Sequence, residues 1–103
     1  MSTSTREIIE SPWEQGSDEI RAYSLTTTPW GGTPSSPTVK LYELPDFTDV
    51  TATLLSGSAS IVGDVITTPA VTGLTNGTRY RLEIKFVTGG RTEEAWGEIV
   101  ATR

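Results

Sequence analysis

The sharpest pattern of apolar and polar positions lies late in the chain. From Arg79 the residues alternate, with Arg79, Arg81, Glu83 and Lys85 on one face and Tyr80, Leu82, Ile84 and Phe86 on the other. A period of two is that of a strand half-buried against a core with its charged face to water; a helix would scatter the four apolar residues around its axis. Turn chemistry brackets this strand. Leu74-Thr75-Asn76-Gly77 precedes it, where Asn and Gly tolerate positive φ, and Gly89-Gly90 follows as a hairpin signal. The returning strand then spans residues 93–102. Gly97, Ile99 and Ala101 compete there with Trp96, Val100 and Thr102 for the inner face. We place Ile99 inward, so the ring of Trp96 must lie on something else.

The rest of the chain reads in the same way. Candidate strands cover residues 7–10, 19–25, 38–44, 50–55, 65–71, 79–87 and 93–102, with turn residues between them. No segment of helical length carries an i, i+3, i+4 apolar stripe. About seven short strands at such spacing predict an all-β, antiparallel β-sandwich. With 103 residues the chain is expected to form a single domain over 1–103, long enough to bury about two-thirds of its unfolded surface. The run "TTTPWGGTPSSPT", 26–38, is too rich in Pro, Gly and Ser to be a strand throughout. It predicts a long loop with Trp30 near its tip, facing solvent. "SGSAS", 56–60, predicts a second, flexible loop.

Composition removes most chemistry. The chain has no His and no Cys, which excludes cysteine nucleophiles, Ser-His-Asp triads, His-based metal sites, structural zinc and disulfides. Asp46, Asp49, Asp64, Glu93 and Glu94 fall in predicted loops or on exposed faces, so no pair of carboxylates faces another across a cleft. "PDFTD" has the spacing of no calcium loop. Gly89-Gly90 leads into Arg91-Thr92 rather than into a helix, so it cradles no phosphate. The expectation is a non-enzymatic protein with no cofactor and no metal. The net charge of −5 opposes nucleic acid, and Glu83 interrupts the only basic strand face. No apolar run is long enough to span a bilayer, and the first residues lack the layout of a signal peptide. Asn76-Gly77-Thr78 is therefore read as a turn, and the chain as made in the cytosol. Three tryptophans remain, Trp13, Trp30 and Trp96, each close to a glycine. Trp30 and Trp96 are the candidate contact surface, suited to anchoring a protein or stacking on a sugar.

Leu74, Gly77 and Tyr80 form Leu-x-x-Gly-x-x-Tyr directly before the alternating strand. This spacing resembles the tyrosine corner of fibronectin type III and other immunoglobulin-like sandwiches, which implies a buried phenol bonded back to the preceding turn. Trp13, then Gly16 with Asp18 and Ile20, the corner, and "TGGRTEEAW" from Thr88 together extend the likeness over most of the chain. In these the chain is similar to small immunoglobulin-like proteins of bacteriophage and prophage structural gene clusters. That resemblance implies a virion structural or accessory protein, assembled in the bacterial host cytoplasm. It would dock on phage head, neck or tail proteins and need neither nucleic acid nor membrane. The alternative is a carbohydrate- or cell-surface-binding module that uses the loop tryptophans. The final strand is expected at a sheet edge, where Glu93, Glu94 and Glu98 would oppose self-pairing and keep the isolated protein monomeric or weakly associated.

Overall fold

The computed structural model describes residues 5–7 and 12–102. The alternating stretch forms a strand, β10 (Arg79–Thr88), which turns at Gly89-Gly90 into β11 (Arg91–Thr102). Both glycines have positive φ, 58° and 76°, as a two-residue hairpin loop requires. Tyr80, Leu82, Ile84 and Phe86 are buried, while Arg79 and Lys85 face solvent. On β11 the inward set is Glu93, Ala95, Gly97, Ile99 and Ala101, so Ile99 does point to the core.

Around this hairpin the chain adds β1 (Thr5–Glu7), β2 (Trp13–Gly16), β4 (Ser35–Glu43) and β5 (Thr48–Asp49). The resulting six-stranded sheet runs β1-β11-β10-β4-β5, with β2 also on β11. The β1 and β2 pairings are parallel and the others antiparallel, so the sheet is mixed rather than antiparallel throughout. Of the strand expected at 7–10, Glu7 closes β1 and the remainder lies outside the described residues.

Two smaller sheets complete the structure. β3 (Ser24–Thr26), β8 (Val65–Thr67) and β7 (Ser60–Val62) form one, in the order β3-β8-β7. β6 (Leu55–Ser56) and β9 (Ala70–Val71) form the other, and an isolated bridge joins Arg21 to Val71. One apolar cluster links everything. Tyr23, Leu25, Ile66 and Val71 meet Leu41, Leu82, Ile84, Phe86 and Ile99 in it. The fold is thus strongly β, as the periodicity predicts.

Three expectations change. The final strand is not an edge: β11 has β10 on one side and the two N-terminal strands on the other. Pairing between segments so far apart in sequence leaves no local signal. The strand expected at 19–25 is reduced to its end, Ser24–Thr26, plus the Arg21 bridge. The strand expected at 50–55 is instead a single helical turn, α1 (Thr51–Leu54). The Thr51 side chain sets this turn, because its Oγ1 accepts the Leu41 N–H at 2.9 Å while Asp49 Oδ1 accepts the Thr51 N–H at 2.9 Å. Those bonds from Thr51 hold the Asp49 carboxyl below the usual carboxylate range.

At the start of β10 the Tyr80 ring is buried and its hydroxyl accepts the Thr75 N–H at 2.9 Å. Leu74 is buried beside it, and the Gly77 N–H donates to the Ala101 carbonyl, tying the turn to β11. Tyr80→Phe keeps the ring but leaves the Thr75 N–H unpaired. It should lower the free energy of unfolding by about 1–2 kcal/mol, read as a shift of the urea midpoint at constant m-value.

Candidate contact surface

The face of the six-stranded sheet that points away from the core gathers charged and aromatic side chains. Register builds it. Arg81 lies opposite Tyr42 on β4 and Glu98 on β11, Glu83 opposite Lys40 and Trp96, and Lys85 opposite Thr38 and Glu94. Opposite charges therefore sit side by side, and Arg79 reaches Glu98 at 3.5 Å. Such a surface is a mixed ladder rather than a basic stripe.

Arg81 is the centre of this face. Its guanidinium carbon lies 4.4 Å from the centroid of the Trp96 ring and 5.5 Å from that of Phe47, so the cation sits between two aromatic rings. Its Nε is 2.8 Å from Glu83 Oε2, yet the N–H is not aimed along that line. The pair is a charge contact rather than a hydrogen bond. Trp96, whose inner-face competition with Ile99 left it needing a support, finds it in Arg81. Phe47 in turn packs at 5.9 Å on Tyr42.

Phe47 is unusual in two respects. The residue is 49% exposed, and its backbone takes φ 58°, the left-handed region that bulky residues avoid. It stands at the rim of an open groove of about 590 Å³ that Glu43, Pro45, Thr78, Arg79 and Glu98 help to line. The sequence marks this residue only as the centre of "PDFTD", an element that reads as a turn; the left-handed conformation that presents the ring has no signature in a phenylalanine.

Trp30 behaves differently from expectation. It ends a 3₁₀ turn, Thr28–Trp30, and its ring meets Phe86 edge-on with centroids 5.5 Å apart. The ring is half-buried against the core instead of standing at a solvent-facing tip. The loop is drawn inward by hydroxyls. Thr27 is buried with its Oγ1 within hydrogen-bond distance of the Gly32 and Asp64 carbonyls, and Thr28 and Thr33 donate to the Asp64 carboxylate at 2.7 and 3.1 Å. Trp30 and Trp96 thus lie on opposite faces of the six-stranded sheet and do not form one surface.

Two buried polar groups escaped the sequence reading. Gln15 is fully buried, where its amide donates to the Val71 and Glu19 carbonyls and accepts the Tyr23 hydroxyl at 2.7 Å. Trp13 covers the Tyr23 ring at 4.5 Å, and burial pushes the Tyr23 phenol above its usual pKa despite nearby Arg21. Glu93, expected as an exposed edge charge, is instead 1% exposed. The alternation of β11 turns it inward, and Arg91 Nε lies 3.4 Å from its Oε2. Its Oε1 has no hydrogen-bond partner among the described residues.

Among the described residues, no three His, Cys, Asp or Glu side chains converge to hold a metal ion, and no helix is long and apolar enough to cross a membrane. No protein-family model matches the chain, and no curated protein matches it significantly.

Proposed function

We propose that the chain is an immunoglobulin-like β-sandwich that acts without catalysis, as a phage or prophage virion component docking on other structural proteins. Its working surface is the outer face of the six-stranded sheet. The neighbours β11-β10-β4 and β3-β8-β7 follow the G-F-C and B-E-D strand order of such sandwiches, and Tyr80 opens β10 where their corner tyrosine stands. The phage assignment rests on the sequence resemblance through Trp13, Gly16, Leu74, Gly77, Tyr80 and the "TGGRTEEAW" stretch.

The observation that carries the docking role is the Arg81 guanidinium held between Trp96 and the exposed, backbone-strained Phe47. Aromatic residues and arginine dominate the energetic centres of protein interfaces, and a left-handed phenylalanine persists only where the surroundings enforce it. The pair Phe47→Ser and Trp96→Ala removes both rings from a solvent-facing surface, so the fold should survive. Particles assembled with the wild-type chain should carry it through gradient purification, and the double variant should be depleted about tenfold, equal to 1.4 kcal/mol of binding. Equal retention of both, or a wild-type chain left entirely at the top of the gradient, contradicts the proposal.

A further inference from the structure

On the side of the six-stranded sheet opposite β1 and β2, an unpaired strand edge faces a groove. The edge belongs to β4. Its neighbour β5 covers only Tyr42 and Glu43, and beyond them the Leu41 N–H and C=O bond to the Thr51 hydroxyl and the Val50 N–H, both at 2.9 Å. Leu41 therefore points its backbone groups away from β10, and the alternation of an antiparallel ladder gives Val39 the same orientation. The outward N–H and C=O of Val39 have no partner among the described residues. Pro37, two residues before Val39 and within the register shift of β4, has no N–H to offer. The result is one open slot of two backbone hydrogen bonds.

The β3-β8-β7 sheet has an edge of its own. β7 pairs with β8 alone, and the Gly63-Asp64 turn closes on the Val62–Val65 pair. That closing pair exchanges both its bonds in a two-residue hairpin, so Ile61 turns its N–H and C=O outward. Between β4 and the segment that leads into β7 lies a groove of about 410 Å³, lined by Pro37, Val39, Ala52, Leu55, Ala59 and Pro69 together with threonine, serine and glycine. None of its ten lining residues is charged, although charged residues make up 20% of the chain.

Proteins guard such edges with charge, proline, a bulge or a covering partner. Pro37 and the register shift of β4 before Thr38, where Ser36 takes φ 52°, blunt one end of this seam, and Lys40 stands next to it on the outer face, but none of these covers the groove side of Val39. We infer that the seam accepts a single extended, uncharged segment of a partner protein, laid against Val39 as an added strand with a β-branched side chain in the groove. The segment is uncharged because the groove offers no counter-charge, and an ion desolvated there would go unpaired. A second copy is the poorer occupant, since each copy brings a net charge of −5 and the two repel. The seam lies apart from Phe47, Arg81 and Trp96, so it stands or falls independently of the docking face.

The test uses the whole, isotope-labelled chain and a blocked peptide, acetyl-Thr-Val-Thr-Val-Thr-amide. In the free protein the Val39 amide should exchange about a hundredfold faster than that of Ile84, which lies in the central strand. The peptide should shift the Val39 resonance saturably and slow its exchange. Ala52→Glu, on the exposed face of α1, should weaken binding about tenfold, or 1.4 kcal/mol, with Ile84 protection unchanged. Trp96→Ala should leave peptide binding unaltered. A Val39 amide already protected in the free protein, or no saturable shift, overturns the inference. So does equal binding of a peptide with proline at its centre. A dimer found by sedimentation and abolished by Ala52→Glu would assign the seam to a second copy instead, and equally overturn it.

Discussion

Phe86→Ala is expected to lower the free energy of unfolding by about 3–5 kcal/mol, the cost of truncating a fully buried aromatic residue. Phe86 is completely buried and closes the core at the far end of β10. It is also the ring on which Trp30 rests. Removing it opens a void and leaves the 3₁₀ turn without its apolar anchor, held by hydrogen bonds from Thr27, Thr28 and Thr33 and from Thr88 and Arg91 to the Gly32 and Trp30 carbonyls. Domains of this kind have about 5–15 kcal/mol in total, so the variant should be partly unfolded at moderate temperature. Urea titration followed by tryptophan fluorescence reads both effects. A double-mutant cycle with Trp30→Ala should return a coupling of about 0.5–1.5 kcal/mol for the edge-on pair. A loss under about 1 kcal/mol for Phe86→Ala would mean that the core closes without it.

The second large effect is an asymmetry within one ion pair. Arg91→Met should destabilise the protein by about 3 kcal/mol, because it leaves the Glu93 carboxylate buried without the guanidinium that lies beside it. The figure is at the low end for a buried pair, since Arg91 keeps 41% of its side-chain surface and is partly screened by water. Glu93→Met should instead be neutral or stabilising, as it removes a desolvated charge whose Oε1 has no hydrogen-bond partner among the described residues. The double variant should resemble Glu93→Met alone. Thermal unfolding of the three variants decides it, and equal losses for both single variants would show that the two groups do not act as a pair.

Glu93 also marks how far the sequence could be read. Its inward position was present in the parity of β11, which it shares with Ile99 and Ala101, but a glutamate is so rarely buried that its charge outweighed its position. β10 was legible because its alternation is long and unbroken. The segment 50–55 was not. Val50, Leu54 and Leu55 form an apolar set too short for periodicity to separate a strand from a helical turn, and the Thr51 and Asp49 bonds decide the matter. Trp30 was misplaced for a related reason. Proline and glycine announce a loop, but the hydroxyls of Thr27, Thr28 and Thr33 that fold it back onto Phe86 depend on Asp64, remote in sequence. Of the outer face, Trp96 and the alternation around Arg81 were visible. Phe47 completes the site through a register and a backbone conformation that only the folded chain displays.

The parallel docking of β2 on β11 has a mechanical side. Trp13 to Gly16 run alongside Ile99 to Thr102 in the same direction, so a pull that drags β2 backward and β11 forward slides one strand along the other. All the hydrogen bonds of that patch then take the load together instead of opening one after another, as they would in a hairpin peeled from its end. Resistance to such a pull is set by the unfolding rate and not by the equilibrium stability. The geometry therefore favours a molecule that holds under tension applied along these two strands, whatever its melting temperature.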